Sequence, residues 1–343
     1  GYATPISTSG ANSEIFIHNN FFGFPENSDP EGNQKGAIKV TVAHEFKHAI
    51  QFDNNWSGPS SLAWTEMDAT LMEEVVYDEV NDYYNYIKKG FSSSLPSQSS
   101  IFGNPGNSIP NNSGRYANVT WLLHYVENYG IEIIKNTWER LALNQNQNFE
   151  VSLIEALREK DRLFETTFVQ NHLWHFASGS RSGYGAYGFN EKLFYPSSTL
   201  LQQFYSVPIQ PTSFNGVSTF AAQYFEITPD INDFGIIDLA VNMDSTDVGF
   251  GVLVYKKNGR TYEYFNTGSN KPQIYLPLKN HLWEDVDKLG IVVSNFSNKE
   301  HTGPLELLVG KQGNRFPIED PDFQKPDRLL LKQNYPNPFN STT

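Results

Sequence analysis

Val42-Ala43-His44-Glu45-Phe46-Lys47-His48-Ala49-Ile50-Gln51-Phe52 is the stretch from which the rest of the chain is read. His44 and His48 stand four residues apart, which on an α-helix places them about 40° apart around the axis. Two imidazoles so placed reach one metal ion, and Glu45 projects beside them, within range of a water at the same place. The spacing has this meaning only on a helix, and the flanking residues supply one. Ile38, Val42, Ala43, Phe46, Ala49 and Ile50 recur at helical intervals and fill an arc roughly 140° wide. That arc is centred near Phe46. His44 and His48 fall on the opposite side, so they are not expected to be core residues and face wherever the polar side points. Lys39 also falls in the arc, but near its start, where a long side chain reaches solvent.

A catalytic zinc takes three protein ligands and keeps one position open. A histidine six residues beyond His48 would complete one such set, but position 54 is Asn, and the chain has no Cys. A carboxylate or a distant histidine remains. After a loop from Asn54 to Ser61 punctuated by Gly58-Pro59, a second helical run is predicted from Leu62 to Lys89, acidic along its outer side. It opens Trp64-Thr65-Glu66-Met67-Asp68-Ala69. Glu73 follows Glu66 on the same face, either as an acceptor for the N–H of a ligand imidazole or as a solvated helix carboxylate. Asp68 and Glu74 lie less favourably around the axis.

Here the sequence resembles the gluzincin metallopeptidases, in which HExxH is followed by a helix reading roughly NExxA. Glu66 with Ala69 matches that pattern; Thr65 replaces the Asn, and the separation from His48 is slightly short. The resemblance implies Zn2+ held by His44, His48 and Glu66, with Glu45 as general base and then proton donor to the leaving amine. Val42–Phe52, Trp64–Tyr86 and Arg115–Gly130 are similar to secreted bacterial metallopeptidases distantly like the immune-inhibitor-A peptidases. The third block contains Tyr116, which either donates to a developing oxyanion or packs. His124, His172 and His175 are further candidates as ligands or transition-state donors, or are structural groups. Asp29–Asn33 offers oxygens for a structural calcium, without an EF-hand pattern.

Composition narrows the partners. The 343 residues carry a formal net charge of −13, with 38 acids against 25 bases and no basic run, which argues against nucleic acid and anionic lipid. No apolar stretch reaches the roughly 18–20 residues of a membrane span, so no membrane insertion is expected. The absence of Cys excludes disulfides and Cys-based chemistry.

Helical patterns continue at Tyr116–Tyr129, Glu132–Leu143, Phe149–Glu159 and Arg162–Ala177. After about Pro196 the texture changes to short strand-like runs at Ala221–Ile227, Gly235–Val241, Gly249–Lys256, Thr261–Phe265, Gln273–Leu276, Leu289–Ser294 and Leu305–Val309. Seven such runs with turn signals between them read as a β-sandwich. The predicted fold class is therefore multidomain α + β, a mainly α-helical zincin-like catalytic domain followed by an all-β sandwich. Its expected boundaries are 1–200 for the metallopeptidase domain, 201–312 for the sandwich and 313–330 for a linker. Residues 331–343, with Gln333-Asn334-Tyr335-Pro336-Asn337-Pro338-Phe339-Asn340, resemble the opening of a type IX secretion sorting domain, with Ser341 where Pro is usual. That resemblance implies a truncated sorting domain, the type IX machinery as partner, and a secreted or cell-surface location.

The expectation is a monomeric secreted zinc endopeptidase acting on protein or peptide substrates. Its rivals are a catalytically inactive cell-surface binding or adhesion protein that uses the β-sandwich, and a metal-dependent hydrolase acting on other bonds. Intact Glu45 argues against the first rival, since an inactive domain has no need of that carboxylate.

Overall fold

A computed structural model describes residues 1–6, 12–54, 62–144, 147–183, 185–242, 247–267, 273–276, 278–301 and 303–311. The expected linker and sorting segment, 313–343, lie outside the described residues. Helices occupy the first part and sheets the second, an α + β layout with a β-sandwich-like region. No described helix is long and apolar enough to cross a membrane.

A small antiparallel hairpin, β1 (Tyr2–Pro5) and β2 (Ser13–Phe16), lies along α1 (Asn33–Asp53). Next come α2 (Leu62–Val76), α3 (Tyr84–Ile87), α4 (Val119–Tyr129), α5 (Glu132–Leu143), α6 (Phe149–Arg158) and α7 (Phe164–Phe176). Their core gathers Trp64, Met67 and Leu71 of α2 with Trp121, Leu122 and Tyr125 of α4 and Leu153 of α6. Trp64 stacks on Phe149 at 4.5 Å between ring centroids and tilts against Trp121 at 5.2 Å. This aromatic packing fixes α2, and α1 lies across α2.

Two expectations are corrected. The run from Leu62 to Lys89 is not one helix: α2 ends at Val76, and Asn81 takes a left-handed backbone (φ 54°) before the single turn of α3. Nor is its acidic side outward, since Glu73 and Glu74 are buried. The second correction concerns α1. Its apolar arc faces out among the described residues, with Phe46 58% exposed and Ile38, Val42 and Ile50 also exposed, whereas His44, Glu45 and Gln51 are buried. Periodicity identifies a one-sided helix but not which side is covered. Here the polar side is the one pressed on α2, because it holds groups that bond to one another across the helix pair.

The seven predicted strand segments all form. In the structure they are β5 (Ala221–Ile227), β6 (Ile236–Asn242), β7 (Val248–Lys256), β8 (Thr261–Thr267), β9 (Gln273–Tyr275), β11 (Val286–Asn295) and β12 (Leu305–Lys311). Among the described residues of this part, three short strands escape the sequence pattern: β3 (Gln202–Phe204), β4 (Thr212–Phe214) and β10 (Leu278–Leu282). One sheet runs β3-β5-β11-β7-β8; the other runs β10-β6-β12-β4, with β9 also paired to β6. Alternate residues fill the space between the sheets: Phe225 and Ile227, Leu239 and Val241, Phe250, Val252 and Val254, Ile291 and Val293.

The opposite face of the first sheet is also covered. Ala222, Tyr224, Leu253, Tyr255 and Val292 pack against Val169, Leu173 and Phe176 of α7. That double burial explains why every residue of β7 is buried. Gly251 permits the close approach, since a Cβ there would stand 2.6 Å from Cγ1 of Val169. The helical and β parts therefore share a packed interface through α7.

Candidate metal centre

α1 carries the two histidines and α2 the carboxylate, and their crossing brings three ligand atoms together. His48 Nε2 lies 3.1 Å from His44 Nε2, and Oε2 of Glu66 lies 3.3 Å from His44 Nε2 and 3.4 Å from His48 Nε2. Among the described residues this is the one group of three or more His, Asp or Glu whose ligand atoms all lie within 4.8 Å of one another. Bonds of about 2.0–2.1 Å to a tetrahedral zinc give ligand–ligand edges of about 3.3–3.4 Å. The observed triangle thus has the edges of one tetrahedral face, and two imidazoles with one carboxylate are a donor set that zinc accepts.

The surroundings are equally specific. His44 Nδ1 lies 2.7 Å from Oε1 of Glu73, one of the two readings open for that residue. His48 Nδ1 lies 2.9 Å from Oε1 of Gln51, whose Nε2 donates to Thr65 O at 3.2 Å and to Asp68 Oδ2 at 3.0 Å. Tyr116, in the turn before α4, stacks on the His44 ring at 5.8 Å and bonds through its hydroxyl to Glu66. Glu45 is buried, and its Oε2 has no hydrogen-bond partner among the described residues. Its other oxygen, Oε1, faces the N-terminal ammonium of Gly1 at 3.9 Å.

Electrostatics follow from this crowding in the metal-free chain. Burial opposes protonation of His44, but its bonds to Glu66 and Glu73 outweigh that and push it up to about 10. Burial also works against ionised Glu66, yet the bonds from His44, His48 and Tyr116 hold its carboxyl well below the usual range. Glu73 shows the opposite balance: burial raises it despite His44. A cation at the triangle would replace the proton that these carboxylates otherwise draw onto His44.

The other candidates lie elsewhere. His124, His172 and His175 are fully buried. His172 bonds Tyr224 at 2.7 Å across the α7 interface, and His175 bonds Thr120 at 2.8 Å. Burial depresses all three, His175 to about 3, and none belongs to the His44–His48–Glu66 group. Glu74 points instead toward Glu191, Asp78 and Glu127. In the expected calcium loop, the Asp29 carboxylate already faces the Lys39 ammonium at 2.7 Å. The sequence reading missed Gln51 and set Asp68 aside. Gln51 is one turn beyond His48, and an amide three residues past a candidate ligand histidine is the signal that would have found it.

No family model matches the chain, and no curated protein matches it. Among solved structures, it is similar to the pre-peptidase C-terminal domain of a collagenase from Bacillus anthracis. The identity is 11% and the TM-score 0.25, over 33% of this chain and 98% of that domain.

Proposed function

We propose that the chain is a secreted zinc-dependent endopeptidase with a zincin-like helical domain, hydrolysing peptide bonds of extracellular proteins. The observation that carries this reading is the His44–His48–Glu66 triangle, with edges of 3.1, 3.3 and 3.4 Å. When bound there, zinc supplies Lewis acidity toward a carbonyl oxygen and toward water. Glu45 takes the proton from the attacking water and delivers it to the leaving amine. Its Oε2, which takes no hydrogen bond among the described residues, supports that role. Tyr116, beside Glu66 and His44, supplies a phenolic donor to the developing oxyanion. The terminal resemblance to a type IX sorting segment supports export to the cell surface or medium.

Glu45→Gln tests the reading. Wild type and variant should each hold about one zinc per chain, and only the wild type should cleave an unfolded protein substrate. Equal cleavage by both would remove Glu45 from the mechanism. A wild type that binds no zinc at neutral pH would overturn the metal assignment.

A further inference from the structure

His48 is tied to α2 by a buried relay that no motif contains. Gln51 is 3% exposed and Asp68 is fully buried. The amide of Gln51 spans His48 on one edge and Thr65 O with Asp68 on the other. Which edge is which follows from the partners. A backbone carbonyl only accepts, so the edge facing Thr65 O must be the NH2 group. Oδ2 of Asp68, on the same edge, also takes the Lys47 ammonium at 3.0 Å, so it too is an acceptor and faces a donor. The amide oxygen is left facing His48, and an amide oxygen accepts only. The proton of a neutral His48 must therefore sit on Nδ1. Its bare nitrogen is Nε2, the one at the corner of the ligand triangle.

We infer that Gln51, itself locked by Asp68 and the Thr65 carbonyl, is a positioning residue that sets the tautomer of His48 and aims its Nε2 at the metal. The inference rests on the zinc reading above. The device differs from the one at His44, where a carboxylate does the orienting. It also joins the ligands to each other. Lys47 and Gln51 flank His48 on α1, and Thr65 and Asp68 flank Glu66 on α2. The same bonds that hold the ring therefore hold the two helices in register, so the second and third ligands are placed together.

Gln51→Leu keeps most of the volume and removes both bonds. Three quantities are measured on the full chain: zinc affinity by chelator competition, the visible absorption of the Co2+-substituted protein, and the melting temperature without metal. Loss of an outer ligand partner typically weakens metal binding about 10–100-fold. That loss is expected here, together with altered cobalt bands, in a protein that still melts cooperatively without metal. A purely structural role would lower only the metal-free melting temperature. Zinc affinity within about twofold of wild type, with an unchanged cobalt spectrum, would overturn the inference. Should Gln51→Leu not fold, Gln51→Asn keeps the amide but is one methylene too short to span both partners. A loss of about fivefold or more is expected there, and no loss again overturns the proposal. A wild type that binds zinc beside unaffected variants refutes only this inference; one that binds none refutes the metal reading with it.

Discussion

Nδ1 of His44 lies 2.7 Å from Oε1 of Glu73, although the two residues are 29 positions apart and Glu73 is not one of the three converging residues. A carboxylate in that place fixes the tautomer and makes the ring a stronger donor. Glu73→Gln should weaken zinc binding by about 10–100-fold. Glu66→Gln should weaken it further, because it removes a ligand. A zinc competition titration decides between them, and the reverse order would exchange their roles.

The outward face of α1 gives a prediction about stability. Phe46 is 58% exposed, so Phe46→Ser should change stability by no more than about 0.5 kcal/mol. Trp64, 2% exposed and stacked on Phe149, should cost about 3–5 kcal/mol on truncation to Ala. Urea titration of both variants checks the contrast. A large loss from Phe46→Ser would mean that this face is covered in solution.

Cutting the chain near 196–201 should not release a well-behaved helical fragment. Val169, Leu173 and Phe176 would lose the sheet that buries them. Phe176→Ala should destabilise the whole chain by about 3–5 kcal/mol. Gly251→Ala should cost about 1–3 kcal/mol through overpacking against Val169. Light scattering of the fragment, with melts of the two variants, tests the interface; a monodisperse fragment would show that α7 does not need the sheet.

A second group of buried acids predicts a pH dependence. Burial, then the backbone bond from Asn190 and the nearby Glu191 and Asp78, leave Glu127 raised to about 7. Burial and the neighbouring Glu191, Asp78 and Glu127 push Glu74 to about 10. A carboxyl raised in the folded state binds more protons there than in the unfolded chain. Its contribution to stability is therefore present below the unfolded value and is lost as pH rises through the folded one. For Glu127 that window runs from its ordinary value of 4.5 to about 7. Glu127→Gln should gain in melting temperature relative to wild type across that window and hold the gain above it. A difference that stays flat with pH would show that Glu127 ionises freely.

The sequence by itself determined the local chemistry. The i, i+4 spacing of His44 and His48 is a property of helix pitch, and alternation in Phe225–Ile227, Leu239–Val241 and Phe250–Val254 is a property of the strand pleat. Both survive any tertiary context that keeps the element, so the helices apart from the break after Val76, seven of the strands and the Glu66 candidate could be read directly. Only the tertiary structure decided which face of α1 is covered, that Glu73 and Gln51 contact different imidazoles, and that α7 lies on the sheet through Gly251. These depend on two elements meeting across long separations, and a residue's own neighbours in the chain carry no information about its partner there. Phe46 and Gln51 show the consequence: hydrophobicity alone would bury the first and expose the second, while the bonds between α1 and α2 require the reverse.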